Sequence, residues 1–132
     1  MFDHKNKELI SIGLNKKIIE TLNAYIALLK EKYGENITKI ILFGSAARRR
    51  RSRESDVDLL IITTNKRQSV KDEISMSAFD IMLKNNIVLS PIVMDKDTYE
   101  WYKKYRDPFY NNIMRDGVDI WTKKPEHLLK SV

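Results

Sequence analysis

Gly44 and Ser45 are followed, after ten residues, by Asp56, Val57 and Asp58. Two carboxylates separated by one residue at the head of an apolar strand share one side of it, because alternate strand residues face the same way. Such a pair can hold divalent cations. Magnesium favours carboxylate oxygens in combination with substrate phosphates. Two such ions about 3.5–4 Å apart stabilise the entering and leaving oxygens of a phosphoryl displacement. Gly44-Ser45 closes the apolar run Ile40-Ile41-Leu42-Phe43. A glycine there lets the backbone approach an anion, and Ser45 can cap a helix begun by Ala46, Ala47 and Arg48, turning free N–H groups toward phosphate. Gly-Ser and Asp-x-Asp each recur at ordinary turns and strand starts, so the joint spacing carries the signal.

That joint pattern, from Leu42-Phe43-Gly44-Ser45 through Ala47-Arg48 to Ser55-Asp56-Val57-Asp58-Leu59-Leu60, resembles the motif of the nucleotidyltransferase superfamily that includes DNA polymerase β. The length of 132 residues is similar to that of the minimal, single-domain members. The resemblance implies that Asp56 and Asp58 are catalytic and bridge two Mg2+ ions. It also implies that Gly44 and Ser45 hold the β- and γ-phosphates of a nucleoside triphosphate, ATP foremost. Arg48 matches a motif arginine and is assigned to the phosphates, whereas Arg49 stands where many relatives carry glycine. Members of this type resemble the antitoxin half of a pair whose other half is a helical HEPN-domain protein. The implied activity is transfer of a nucleoside monophosphate to a hydroxyl acceptor, with the HEPN partner as a candidate. The superfamily's usual third acid would fall near Ser90, and serine is neither a general base nor a strong magnesium ligand at neutral pH. The alternative is therefore a catalytically weak nucleotide-binding or antitoxin module that acts by contact. Asp95 and Asp97 follow that strand; Asp95 reads as a helix cap and Asp97 as a first-turn residue. Asp80 reads as a surface residue.

The elements that must position these groups alternate between helix and strand, predicting an α/β (α+β) fold with a small mixed sheet of about three to five strands. Leu14, Ile18, Leu22, Tyr25, Ile26, Leu29 and Tyr33 recur at helical spacing up to Gly34. Strands are expected at 38–43, 56–63 and 87–94, the second buried on both faces. A helix over 68–84 is expected to bury Val70, Ile74, Phe79, Ile81, Met82 and Leu83. Further helices are expected over 97–106 and around 109–115, with an edge strand at 118–121. One domain over 1–132 follows, with a core of about 14–121 and a loose tail at 122–132.

The net charge is +6, and residues 1–55 hold 12 Lys/Arg against 6 Asp/Glu while 56–132 hold 12 against 12. The excess thus lies with the proposed phosphate cradle, where Arg48, Arg49, Arg50, Arg51 and Arg53 cluster. Such a patch suits a triphosphate or a nucleic-acid backbone, and also reads as a solvated loop. A chain this short lacks room for template-binding elements, so nucleic acid ranks below a protein or small-molecule acceptor. Absence of cysteine excludes disulfides and thiolate metal sites. No apolar run approaches the ~20 residues of a membrane span and no signal peptide is evident, so a cytoplasmic protein without membrane attachment is expected. Seven aromatic residues lie between Tyr99 and Trp121. They either close one side of the core or form a partner surface.

Overall fold

The computed structural model describes residues 14, 16–44 and 56–123. In chain order these form α1 (Lys16–Tyr33), β1 (Ile37–Phe43), β2 (Val57–Thr63), α2 (Gln68–Met76), α3 (Ala78–Asn85), β3 (Leu89–Asp95), α4 (Lys96–Lys104), α5 (Pro108–Asp116) and β4 (Val118–Thr122). The strands make one mixed sheet in the order β3-β2-β1-β4. β1 is antiparallel to both β2 and β4, while β3 runs parallel to β2. The expected alternation and mixed sheet are present.

Two cores sandwich this sheet. Val57, Leu59 and Ile61 of β2 join Ile40, Leu42, Leu89 and Ile120 against helices α1 to α3. The intervening Leu60 and Ile62 join Ile41 and Met94 against Ile113 of α5, with Tyr99, Tyr102 and Phe109 packed around them. Strand alternation therefore fixes which residues face which helical layer. β2, buried on both sides, carries the near-continuous apolar run that such a position demands. Its neighbour β3 lies at the sheet's edge, where Pro91 costs no interior hydrogen bond.

α1 buries Ile18, Leu22, Tyr25, Ile26 and Leu29, and its basic last turn holds Lys30 and Lys32. Gly34 follows its last turn at a position where a Cβ would press on the Lys30 carbonyl oxygen. The buried Tyr25 hydroxyl donates to the Ile74 carbonyl at 2.8 Å, tying α1 to α2. Desolvation pushes its pKa up to about 12.

The helix expected over 68–84 is two helices divided at Ser77. The Ser77 hydroxyl and Tyr25 both donate to the Ile74 carbonyl and compete with the helical ladder at that point. The division changes which side chains meet the sheet. Ile74, Ala78 and Ile81 are buried, but Phe79 and Leu83, expected inside, are 57% and 84% exposed. Asn86 caps α3 in the left-handed conformation, φ 53°, which ends the helix there. Among the described residues no helix is long and apolar enough to cross a membrane.

Candidate active site

The antiparallel register of β1 and β2 sets Phe43 opposite Asp58. The next residue, Gly44, has φ +76°, a conformation that side-chain-bearing residues rarely adopt. A Cβ built on Gly44 would overlap the Asp58 carboxylate. Glycine is thus required twice, for the turn out of β1 and for the space Asp58 occupies. Ser45 and Arg48, with the rest of 45–55, lie outside the described residues.

Asp58 is half-buried in β2, and Asp56, immediately before the strand, is exposed. Between them Val57 is fully buried in the opposite core and its N–H donates to the Val88 carbonyl at 2.9 Å. That anchorage holds the head of β2 in place, and strand alternation puts Asp58 with Leu60 on the α4–α5 side of the sheet, while Asp56 immediately precedes the strand. Gly44 thus packs against Asp58, which Asp56 precedes by two residues.

β2 and β3 pair in parallel with Asp58 beside Ser90. Phe43, Asp58 and Ser90 therefore form one row across three strands, with neighbouring strands about 4.8 Å apart. Ser90 occupies the position where a third carboxylate would stand next to Asp58. Asp95 is paired with Thr63 at the far end of β2, about 16 Å from Asp58 at about 3.3 Å per residue. Its carboxylate is committed locally, accepting from Lys71 Nζ at 2.9 Å, from the Thr98 N–H at 3.0 Å and from the Thr98 hydroxyl at 2.9 Å. The Lys71 hydrogen bond, helped by Thr98, holds the Asp95 carboxyl well below the usual carboxylate range. Asp97 pairs with Lys66 on the surface, and Asp80 is exposed on α3. None of these acids joins Asp58, and among the described residues no cluster of three or more acidic, histidine or cysteine side chains could hold a metal. Two carboxylates at an open strand end suit an ion that completes its shell with substrate phosphate oxygens and water, as magnesium does.

Phe109 borders this row and was not anticipated as part of the site. Asp107 caps α5 by accepting from the Phe109 N–H at 2.9 Å, with Pro108 in the first turn. The start of α5 therefore sets the Phe109 ring edge-on to Phe43, centroids 5.8 Å apart. Only the tertiary packing reveals Phe43 as the neighbour of Phe109. A separate cavity of about 330 Å³ opens farther along the same face, lined by Lys39, Ile41, Tyr99, Ile113 and Asp119 among others. Asp58 does not line it.

Residues 16–126 match the family model described as Polymerase beta, Nucleotidyltransferase. A protein of Methanocaldococcus jannaschii assigned as a protein adenylyltransferase is 33% identical over 98 residues, which span 74% of this chain and 92% of the relative. A second from the same organism, with the same assignment, is 30% identical over 106 residues, 79% of this chain and 99% of its own length. Among solved structures, a toxin–antitoxin complex with AMP-PNP is similar with a TM-score of 0.52 at 17% identity, covering 81% of this chain and 77% of the other. A complex of tri-AMPylated Shewanella oneidensis HEPN toxin with MNT antitoxin is similar with a TM-score of 0.50 at 14% identity, covering 86% and 78%. At these identities the likeness is one of fold.

Proposed function

From the premise that the chain belongs to the polymerase β nucleotidyltransferase family, we propose that it moves AMP from magnesium-bound ATP to a hydroxyl on a protein partner. The observation that carries this reading is the packing of Gly44 against the Asp58 carboxylate, at the head of the strand that Asp56 precedes. In the proposed reaction Asp56 and Asp58 would hold magnesium, which would supply charge neutralisation at the phosphates. Gly44 and Ser45 cradle the β- and γ-phosphates, and Arg48 neutralises them further. The acceptor oxygen forms a bond to the α-phosphorus as the bond to the β-phosphate oxygen breaks, and pyrophosphate departs. The acceptor's proton passes to solvent, because Ser90 provides no base beside Asp58. Catalysis is then chiefly positioning and electrostatics.

Support for a protein acceptor comes from the relatives assigned as protein adenylyltransferases. Support for a HEPN-domain partner and an adenine nucleotide comes from the contents of the two similar complexes. A cytoplasmic setting belongs to the same proposal. The serine at position 90, beside Asp58 where no further acid stands, favours a second reading, in which the chain binds nucleotide and neutralises a partner by contact with little turnover.

The two separate experimentally. Purified protein is incubated with α-labelled ATP, magnesium and a HEPN-domain partner. Label on the partner that drops at least about 100-fold in Asp58→Ala supports the transferase reading. Absence of transfer from the native protein, or transfer undiminished in Asp58→Ala, overturns it. Partner neutralisation that survives Asp56→Ala intact supports the contact reading.

A further inference from the structure

α4 and its C-cap residue Tyr105 carry four aromatic rings, yet no residue of α4 is fully buried. Tyr99 and Tyr102 turn toward the sheet and pack on its second core. Trp101 and Tyr105 do not, being 54% and 59% exposed. They lean on each other with centroids 5.0 Å apart at a tilt of 46°, and Trp101 also meets Tyr102 edge-on at 5.4 Å. Tyr102 in turn meets Phe109 at 5.9 Å, and Phe109 meets Phe43 at 5.8 Å. An unbroken run of five rings thus leads from Phe43, the register partner of Asp58, to an exposed knob at the end of α4.

The rim of that knob is cationic. Lys103 and Lys104 form the basic last turn of α4, and Arg106 follows. All three are exposed, and none forms an ion pair among the described residues. Across residues 100–106 they face a single acid, Glu100. The other exposed apolar stripe, Met76, Phe79 and Leu83, lies on the α2–α3 layer, across the sheet from Asp58. Mutually packed aromatics ringed by unpaired cations have the composition of a protein interface core with a charged rim.

We propose that Trp101 and Tyr105, rimmed by Lys103, Lys104 and Arg106, dock an acidic segment of the acceptor protein on the same side of the sheet as Asp58. This rests on the transferase reading for the identity of the occupant. Charge complementarity would steer the segment, and an apolar anchor on it would seat on the Trp101–Tyr105 knob. The ring geometry argues against single-stranded nucleic acid. A stacking platform needs open ring faces, whereas Trp101 and Tyr105 cover each other at a tilt and Lys104 Nζ sits 5.5 Å from the Tyr105 centroid.

The test uses the full chain and three labelled probes: a 15-residue peptide of glutamate and leucine with one central tyrosine, its lysine-for-glutamate counterpart, and a 12-nucleotide oligouridylate. The expected result is binding of the acidic peptide alone, weakened at least tenfold by Trp101→Ala and by the pair Lys103→Glu and Lys104→Glu. These are surface positions, and circular dichroism confirms the fold. Transfer to the acidic peptide should show a raised KM for peptide with kcat and the KM for ATP unchanged. Asp58→Ala should still bind it. Equal affinity for both peptides, or affinity unmoved by the α4 variants, would overturn the docking surface. Oligouridylate binding lost in the same variants would overturn it in favour of RNA. Peptide binding that depends on α4 with no transfer from the native protein would support the docking surface while counting against the transferase reading.

Discussion

Gly44 packs so closely on Asp58 that a single methyl group on the glycine would overlap the aspartate's Oδ2. The relationship follows from register, since Phe43 pairs with Asp58 and Gly44 turns out of the strand at φ +76° immediately beyond. The backbone nearest the carboxylate is therefore the one most able to approach an anion, and the carboxylate limits what can stand there.

Gly44→Ala tests that relationship. Alanine at this φ is strained and its methyl displaces the Asp58 side chain, so a loss of about 1–3 kcal/mol in stability is expected. A displacement on the scale of an ångström at the phosphate cradle is expected to lower AMP transfer at least about 100-fold while the protein stays folded. Thermal unfolding and the transfer assay read the two effects separately. Full activity in a folded variant would show that Gly44 does not shape the site.

Ser90→Asp places a third carboxylate beside Asp58. Without metal the added charge faces its neighbour across about 4.8 Å of strand spacing, so the melting temperature should fall. Added manganese should restore it beyond the gain seen for the native protein. If the missing acid limits proton removal, transfer should rise by up to about 100-fold. A variant indifferent to metal in both stability and rate would contradict the row formed by Phe43, Asp58 and Ser90.

Asp95 should matter for stability and not for transfer. Its carboxylate pairs with Lys71, whose side chain is 14% exposed, and caps α4. Asp95→Ala would leave that ammonium without its partner and α4 without its cap, at a cost of about 1–3 kcal/mol. The sign of the pH effect is fixed by the direction of the shift. Because the folded carboxyl titrates below the unfolded value of about 3.9, its contribution is complete above about pH 4 and is lost as pH falls toward the lower folded value. Stability should therefore fall off more steeply below about pH 4 in the native protein than in Asp95→Asn. Transfer by the folded variant should be unchanged, as expected for a residue about 16 Å from Asp58. A selective loss of kcat would instead make Asp95 a catalytic candidate.

Much of this was legible in the sequence because local rules and tertiary structure agree there. The apolar run after Asp58 had to be a buried strand, and Asp95 after the strand over 87–94 had the chemistry of a cap. Periodicity marks apolar residues without saying which have a layer to cover them. Phe79 and Leu83 fit a helical stripe, but the break at Ser77 turns that stripe outward. Register was equally out of reach: Ser90 could be placed near the site, and only the pairing of β2 with β3 sets it beside Asp58. Phe109 was hidden because its contact with Phe43 depends on how α5 crosses the sheet. The readings of Ser45 and Arg48 fall outside the described residues.

The most direct measurement is anomalous diffraction from a crystal grown with manganese and a non-hydrolysable ATP analogue. The account predicts manganese bound by the carboxylates of Asp56 and Asp58, with the triphosphate lying along Gly44. Nucleotide seated elsewhere, for example in the cavity between Lys39 and Asp119, with no manganese on either aspartate, would contradict it.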